Sequence, residues 1–249
     1  MCAFNVGRVT LRVGMAKGGH VLTREMLAAG GVERMLKGIP EVRVLSEAER
    51  AASLAGLLAR RPAGELWVFA YGSLIWNPVV HFVERRFARI HGWHRSFCLS
   101  TRAGRGSPET PGLVLGLDRG GACTGAAFRL EEATVEPELT LLWRREMVGG
   151  AYQPRFVPVR GKDGVPFGHA IAFTIRRDGM WYAGDLEEAE VVRRLATAEG
   201  GLGSSAEYLF ATRDGLRSLG IRDRHIELLA AQVEAVRAAK LGDSVAASG

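Results

Sequence analysis

The sequence predicts an α+β fold in which a mixed, mostly antiparallel and curled sheet is surrounded by helices. Strand-like segments cluster between residues 66 and 130 and resume between 156 and 176, with one amphipathic helix between the two groups. Three helical patterns follow the last strand, so strands and helices do not alternate as they do in a doubly wound parallel sheet. The composition, 47% hydrophobic and 24% charged, is typical of a globular protein with an ordinary core.

The chain of 249 residues is long enough for one sizeable domain and an appendage. We predict an N-terminal arm with helices at 1–64, a main domain at 65–240 and a disordered tail at 241–249. Residues 1–20 lack periodicity and are expected to be disordered or extended. The N-terminal part is expected either to cap the main domain or to form a separate interaction arm.

Two helical patterns precede the main domain. The first, at 23–36, is weakened by Gly30 and Gly31. The second, at 46–61, begins with Ser46 and Glu49 at the spacing of a capping box. "RPAG" then follows as a linker.

The main domain opens with strands. The segment joining the third and fourth of them, "DRGG", has the composition of a hairpin turn. The predicted strands are Leu66–Tyr71, Phe82–Ser100, Leu113–Leu117 and Ala122–Leu130.

A helix interrupts the strands at 136–147, where Leu139, Leu142 and Trp143 share one face. Two strands with a "KDG" turn between them come next, and helices complete the chain. The strands are predicted at 156–160 and 168–176, and the helices near 187–199, 204–219 and 222–240.

Charge and cysteine usage exclude several classes of protein. The net charge of +6 is spread along the chain among acidic residues, so a nucleic-acid partner is not expected. Cys2, Cys98 and Cys123 are too scattered for a disulfide framework or a CxxC metal site. No segment has the length of a membrane span or the pattern of a secretory signal. We expect a cytoplasmic, monomeric protein with no membrane partner and no bound metal.

Three familiar site patterns fail on inspection. Ser73 lies in "YGSLI", which lacks the second glycine of a nucleophile elbow. His91 and His94 are spaced so that a strand would direct them to opposite faces. "GLGSSA", residues 201–206, follows a helix, so we interpret it as a turn between helices in which Ser204 or Ser205 is the N-cap.

Two stretches remain as candidates. In the first, Gly72 lets the chain turn tightly after Tyr71, and successive amide groups near Ser73 can converge on an anion. In the second, Glu146 ends a helix and precedes a Gly-Gly step, a place where a flexible loop can accompany a functional side chain. A carboxylate beside two arginines is also typical of a solvated surface, and spacing alone leaves both interpretations open.

Four stretches in this order resemble the ChaC-like family of γ-glutamylcyclotransferases, over about residues 66 to 229. They are "VFAYGSLIWNP", "RGSPETPG", "WRREMVGGAY" and "SAEYLF". The long "YGSLIWNP" form resembles the branch that acts on glutathione. The resemblance implies a small β-barrel with peripheral helices, and conversion of glutathione to 5-oxoproline and Cys-Gly without metal or organic cofactor.

The resemblance also implies roles for individual residues. Glu146 occupies the position of the catalytic glutamate, as general base and acid, and Glu109 is a weaker second candidate. The residues in the positions of the substrate-binding loop and pocket are Tyr71, Gly72, Ser73, Leu74, Ile75, Tyr208 and Tyr152. Two alternatives stay open: an enzyme acting on other γ-glutamyl amines or amino acids, and a non-enzymatic regulatory or binding module.

Overall fold

The computed structural model describes residues 21–39 and 42–246. The predicted N-terminal arm at 1–20 therefore lies outside the described residues. The helices are α1 Arg24–Ala28, α2 Gly31–Leu36, α3 Glu47–Leu58, α4 Ser73–Trp76, α5 Val135–Glu146, α6 Glu188–Thr197, α7 Ser205–Ser218 and α8 Arg224–Ala246. The strands are β1 Trp67–Ala70, β2 Glu84–Thr101, β3 Gly112–Arg129, β4 Tyr152–Arg160, β5 Pro166–Ile175, β6 Glu199–Gly200 and β7 Gly203–Ser204.

Five strands close into a small barrel in the order β1-β3-β2-β4-β5. Neighbouring strands pair antiparallel around most of the barrel, and β5 runs parallel to β1 where the barrel closes. Both faces of the barrel strands are covered: the β1–β3 register places Phe69 and Phe128 on opposite faces of the sheet, and each is at most 1% exposed. The predicted α+β class with a mixed, mostly antiparallel, curled sheet is confirmed.

The predicted hairpin at "DRGG" is wrong. Residues 112–129 form one continuous strand, and its register against β2 slips between His91 and Trp93. Gly120 and Gly121 have positive φ angles of 100° and 65°, and Gly92 on the facing strand has 80°. The glycines thus absorb a bulge in a long hairpin, because they adopt backbone angles that other residues avoid. The actual turn between β2 and β3 lies at 102–111.

The N-terminal helices pack against α5. Gly30 adopts φ 72° and separates α1 from α2, while a Cβ on Gly31 would lie 2.8 Å from the carbonyl oxygen of Met26. Arg24 donates to both carboxylate oxygens of Glu138 on α5, at 2.6 and 2.9 Å. The predicted capping box of Ser46 and Glu49 is confirmed.

Three helices close the fold beside the barrel. Ser204 caps α7 by accepting from the amide of Glu207, so one of the two predicted N-caps is confirmed, and a short β6–β7 ribbon precedes it. The helix α8 continues to Ala246, so the predicted disordered tail at 241–249 is wrong for its first six residues. Residues 247–249 lie outside the description. No helix among the residues described is long and apolar enough to cross a membrane.

Candidate active site

A cavity of about 210 Å³ opens at one end of the barrel. Its polar side is formed by Ser73 and Asn77 at the turn after β1 and by Arg145 and Glu146 at the end of α5. Tyr152 and Tyr208 also line it. Its apolar side includes Leu99 and Val114 from the barrel strands and Trp181 from the loop after β5. The N-terminal segment adds Val21, Leu22, Val32, Met35 and Leu36. Elements far apart in sequence thus line one cavity.

The turn after β1 explains the polar step in an otherwise apolar segment. The strand ends at Ala70, Gly72 adopts φ −136° and ψ −126°, and a single helical turn begins at Ser73. This helical turn is not among the helices predicted from the sequence. It stops at Asn77 because a residue before proline avoids the helical region. Within the described part of the chain, the amides of Gly72 and Ser73 donate no hydrogen bond.

Arg145 joins this turn to the end of α5. Its Nε lies 2.9 Å from a carboxylate oxygen of Glu146. Its Nη2 donates to Ser73 Oγ at 2.7 Å, and its Nη1 donates to the carbonyl of Asn77 at 2.6 Å. The side chains of Arg145 and Glu146 are only 6% and 13% exposed. The solvated salt bridge that was one interpretation of this sequence is therefore wrong: the pair is buried in the cavity wall.

Burial raises the pKa of Glu146, and the neighbouring Arg145 guanidinium opposes that rise by hydrogen bonding and by its charge. The net direction is upward. A carboxyl group whose pKa is raised takes up a proton more readily than a surface carboxylate and can also release it. The site thus contains a group suited to moving a proton in both directions.

Three tyrosines surround this carboxylate. The hydroxyl of Tyr71 donates to the carbonyl of Phe173 and that of Tyr152 to the carbonyl of Leu115, both at 2.9 Å. Burial raises the pKa of Tyr71, Tyr152 and Tyr208, and the charge of Glu146 adds to the rise for all three. They therefore stay protonated and serve as hydrogen-bond donors or as walls.

Tyr208, on α7, approaches the turn from a distant part of the sequence. A Cβ placed on Gly72 would be 2.9 Å from the Tyr208 hydroxyl, so the glycine permits this approach. The ring of Tyr208 is held by edge contacts with Trp76 and Phe97, at centroid distances of 5.9 and 6.2 Å. The "EYLF" segment is thus brought against the "YGSLIW" segment.

The structure brings most of the sequence candidates together, but not all in the same way. Ser73, Glu146, Tyr152 and Tyr208 line the cavity. The other members of the predicted loop are buried beside it, with side chains in the core: Tyr71, Leu74 and Ile75. Glu109 is exposed, bonds Ser107 at 2.8 Å, and does not line the cavity.

Sequence reasoning missed three contributors to the cavity. The sequence leaves Arg145 either on a solvated surface or beside a functional site, leaves the N-terminal part either as a cap or as a separate arm, and assigns no role to Arg105. A hydrophobic pattern does not distinguish a cavity wall from core, but the run of arginines before Glu146 was a usable signal. No group of three or more His, Cys, Asp or Glu that could hold a metal occurs within 21–39 and 42–246.

The barrel and its cavity define a class of fold. A crystal structure of a γ-glutamyl cyclotransferase specific to glutathione from yeast superposes with a TM-score of 0.63 at 22% identity, covering 70% of this chain and 98% of that one. The fold is therefore of the γ-glutamylcyclotransferase type.

The family follows from sequence. The model of the ChaC-like protein family matches residues 66–236, and the chain belongs to this family. A glutathione-specific gamma-glutamylcyclotransferase of Escherichia coli is 40% identical over 226 residues, covering 90% of this chain and 97% of the relative. That match reaches into the N-terminal helices. The human glutathione-specific gamma-glutamylcyclotransferase 1 is 31% identical over 177 residues, covering 69% of this chain and 78% of the relative.

Proposed function

We propose that this chain is a γ-glutamylcyclotransferase that cleaves glutathione to 5-oxoproline and Cys-Gly. One observation carries the proposal: Glu146, whose side chain is only 13% exposed, lines the same cavity as Ser73 in the backbone turn after β1. Membership of the ChaC-like family and the names of the relatives from E. coli and human support the choice of glutathione.

The reaction requires no nucleophile from the protein. The α-amine of the γ-glutamyl group attacks the carbonyl carbon of its own side-chain amide, which closes a five-membered lactam and breaks the bond to the cysteinyl nitrogen. Holding the substrate in its folded conformation supplies much of the rate, because well-oriented intramolecular attack reaches effective molarities on the order of 10⁵–10⁸ M.

The turn after β1 would hold the glutamyl end. The free amides of Gly72 and Ser73 are donors for the substrate α-carboxylate. The Tyr208 hydroxyl, close to Gly72, is a further donor at the same end of the cavity. In this assignment Ser73 is a binding residue, and its hydroxyl is already engaged as an acceptor from Arg145.

Glu146 would move the protons. Its carboxylate takes a proton from the substrate ammonium and delivers one to the departing cysteinyl nitrogen. Over the whole reaction two protons pass from the attacking nitrogen to the leaving one, so nothing else is consumed. General acid–base catalysis of this type is worth about 10²- to 10⁴-fold.

The proposal also covers cofactor use, location, oligomeric state and partners. We propose that the enzyme acts without metal or organic cofactor, works in the cytoplasm as a monomer, and has no nucleic-acid or membrane partner. The chemistry supports the first point, since amide cyclisation has no redox step and Glu146 supplies the proton transfer.

A substrate panel tests the proposal against its alternatives. Purified protein is incubated with glutathione, γ-glutamylcysteine and a γ-glutamyl amino acid such as γ-glutamylalanine, and 5-oxoproline is quantified. We expect turnover of glutathione to exceed that of the other two. Comparable or higher turnover of the others would identify a general γ-glutamyl enzyme, and binding of glutathione without any product would identify a binding module.

A further inference from the structure

Arg105 lines the cavity from the loop between β2 and β3. Its side chain is only 10% exposed. Its backbone is fixed from the start of α7, because the hydroxyl of Ser205 donates to the Arg105 carbonyl at 2.8 Å. The guanidinium therefore has a defined place in the cavity wall.

This buried guanidinium has few partners. Arginine carries five N–H donors, yet in the described parts of the chain only Nη1 of Arg105 makes contacts, at 3.4 Å to the Ser204 carbonyl and 3.4 Å to Glu207. Both distances lie beyond the usual range for N–H···O bonds. Nε and Nη2 have no protein acceptor among those residues. Buried polar groups are normally satisfied, so these donors require an acceptor from elsewhere.

Glu207 does not neutralise Arg105 well. Its carboxylate accepts from the Ser204 amide at 2.9 Å as part of the α7 capping box, and its side chain is 44% exposed. Burial lowers the pKa of Arg105, and the charge of Glu207 only partly opposes this. Because arginine keeps its charge in proteins, the cavity retains an incompletely paired cation.

The position of this cation is separate from the glutamyl end. Arg145 is engaged with Glu146, Ser73 and Asn77. Arg105 belongs to a different element, the loop between β2 and β3, and its contacts are with Ser204 and Glu207 at the start of α7. Tyr208 lines the same cavity as both arginines. A ligand with one carboxylate at the Gly72 turn and a second at its far end would match this arrangement.

We propose that Arg105 binds the glycine carboxylate of glutathione and thereby selects this tripeptide over γ-glutamyl compounds that lack a carboxylate there. The inference rests on the proposed function for the identity of the ligand. Guanidinium and carboxylate form paired, charge-assisted hydrogen bonds through two parallel N–H donors, and the two unpartnered nitrogens of Arg105 can supply them.

The test pairs a change in the protein with a change in the ligand. Glutathione is compared with its monoethyl ester, in which the glycine carboxylate is neutral. Binding is measured by calorimetry on Glu146→Gln protein with and without Arg105→Gln, and KM is measured on the corresponding proteins that retain Glu146. We expect the ester to bind about 10- to 100-fold more weakly than glutathione when Arg105 is present, and Arg105→Gln to abolish that preference.

Two further variants sharpen the result. Arg105→Lys keeps the positive charge but lacks the two parallel N–H donors of a guanidinium. It should retain part of the preference for glutathione over its ester. Arg102→Gln removes the same charge from the same loop at a residue that does not line the cavity, and should leave the preference unchanged. Arg102→Gln thus also controls for the effect of net charge on the electrostatic potential around the protein.

The outcomes separate the two hypotheses. The role of Arg105 would be overturned if the preference for glutathione over its ester survives Arg105→Gln. It would also be overturned if protein that retains Arg105 shows no such preference. If glutathione gives no 5-oxoproline but the Arg105-dependent preference in binding is present, the proposed function falls and the carboxylate site stands.

Discussion

Arg145 and Glu146 are neighbours in sequence and in space, and their contacts define the chemistry at the cavity. Adjacent residues on a helix usually point in different directions, but at the end of α5 both side chains line the cavity, and Arg145 also reaches Ser73. Arg145 thus has two effects: it positions the carboxylate, and it holds the loop that is proposed to bind substrate. In the proposed mechanism, a single residue therefore couples binding to proton transfer.

Replacement of Arg145 should change the pH dependence of the enzyme. Burial raises the pKa of Glu146 and Arg145 opposes that rise, so Arg145→Gln should raise this pKa further. Since the base must be ionised to accept a proton, kcat/KM falls as pH decreases through the pKa of Glu146. We expect the acid limb of the kcat/KM profile to move to higher pH in the variant.

Arg144→Gln is the matched control for this experiment. It removes the same charge from the same helical turn, but Arg144 contacts the Ala28 carbonyl and Glu47 instead of Glu146. Its acid limb should coincide with that of the unmodified enzyme. An unshifted limb in Arg145→Gln would contradict the electrostatic role assigned to Arg145.

At the scale of elements, the N-terminal helices contribute an apolar wall to the cavity. Leu36 on α2 lies against Gly149 and belongs to a small cluster with Trp181. The family model begins only at residue 66, so this wall lies outside it. The cavity therefore owes part of its enclosure to a segment that the family's common domain does not include.

A charge on this wall should weaken substrate binding. Leu36→Asp places a carboxylate opposite an anionic substrate, so KM for glutathione should rise about 10- to 100-fold, because like charges brought together at a binding site cost several kcal/mol. Leu228→Asp, at an exposed leucine of α8, is the control. Equal KM values for the two folded variants would mean that the N-terminal wall does not face the substrate.

Elements also show which parts of the fold could be predicted. Helix α3 and its capping box were predictable because Ser46 and Glu49 act over four residues. The bulge at Gly120 and Gly121 was not, because two glycines serve a hairpin turn or a bulge equally well and only the facing strand, with Gly92, decides. A local sequence pattern does not show which strands pair over long distances in the chain.

At the scale of the whole molecule, the N-terminal helices are held to the barrel domain by polar contacts with α5. Glu138 is the centre: its carboxylate, 5% exposed, accepts from Arg24 and from the amide of His81. Burial would raise the pKa of Glu138, but the hydrogen bonds from Arg24 and the His81 amide lower it overall. The anchor therefore works as an ion pair at neutral pH.

Breaking this anchor should destabilise the protein. Arg24→Ala leaves the buried carboxylate of Glu138 with fewer donors, so we expect a loss of about 1–3 kcal/mol in the free energy of unfolding. Arg61→Ala breaks the bidentate pair with the exposed Glu132 and should cost about 1 kcal/mol or less. Chemical denaturation of both variants measures the difference, and equal losses would contradict the anchoring role.

In the candidate site, too, some residues could be predicted from the sequence and others could not. Glu146, Tyr208 and the turn at Gly72 were predictable because they lie in short stretches that resemble a family. The run of arginines before Glu146 was a signal for Arg145, but the burial of Arg145 and Arg105 could not be predicted, since it depends on the elements that close over them. The fold class followed from the order of strands and helices, but the closure of the barrel needed the pairing of β5 with β1.

The central claim is that Glu146 transfers the protons that cyclise glutathione. Its most direct test is the rate of 5-oxoproline formation from saturating glutathione by Glu146→Gln, with Glu109→Gln as the matched control at an exposed carboxylate outside the cavity. We predict that Glu146→Gln still binds glutathione but loses about 10²- to 10⁴-fold in kcat, while Glu109→Gln keeps the rate of the unmodified enzyme. A Glu146→Gln rate within a few-fold of the unmodified enzyme would contradict the claim.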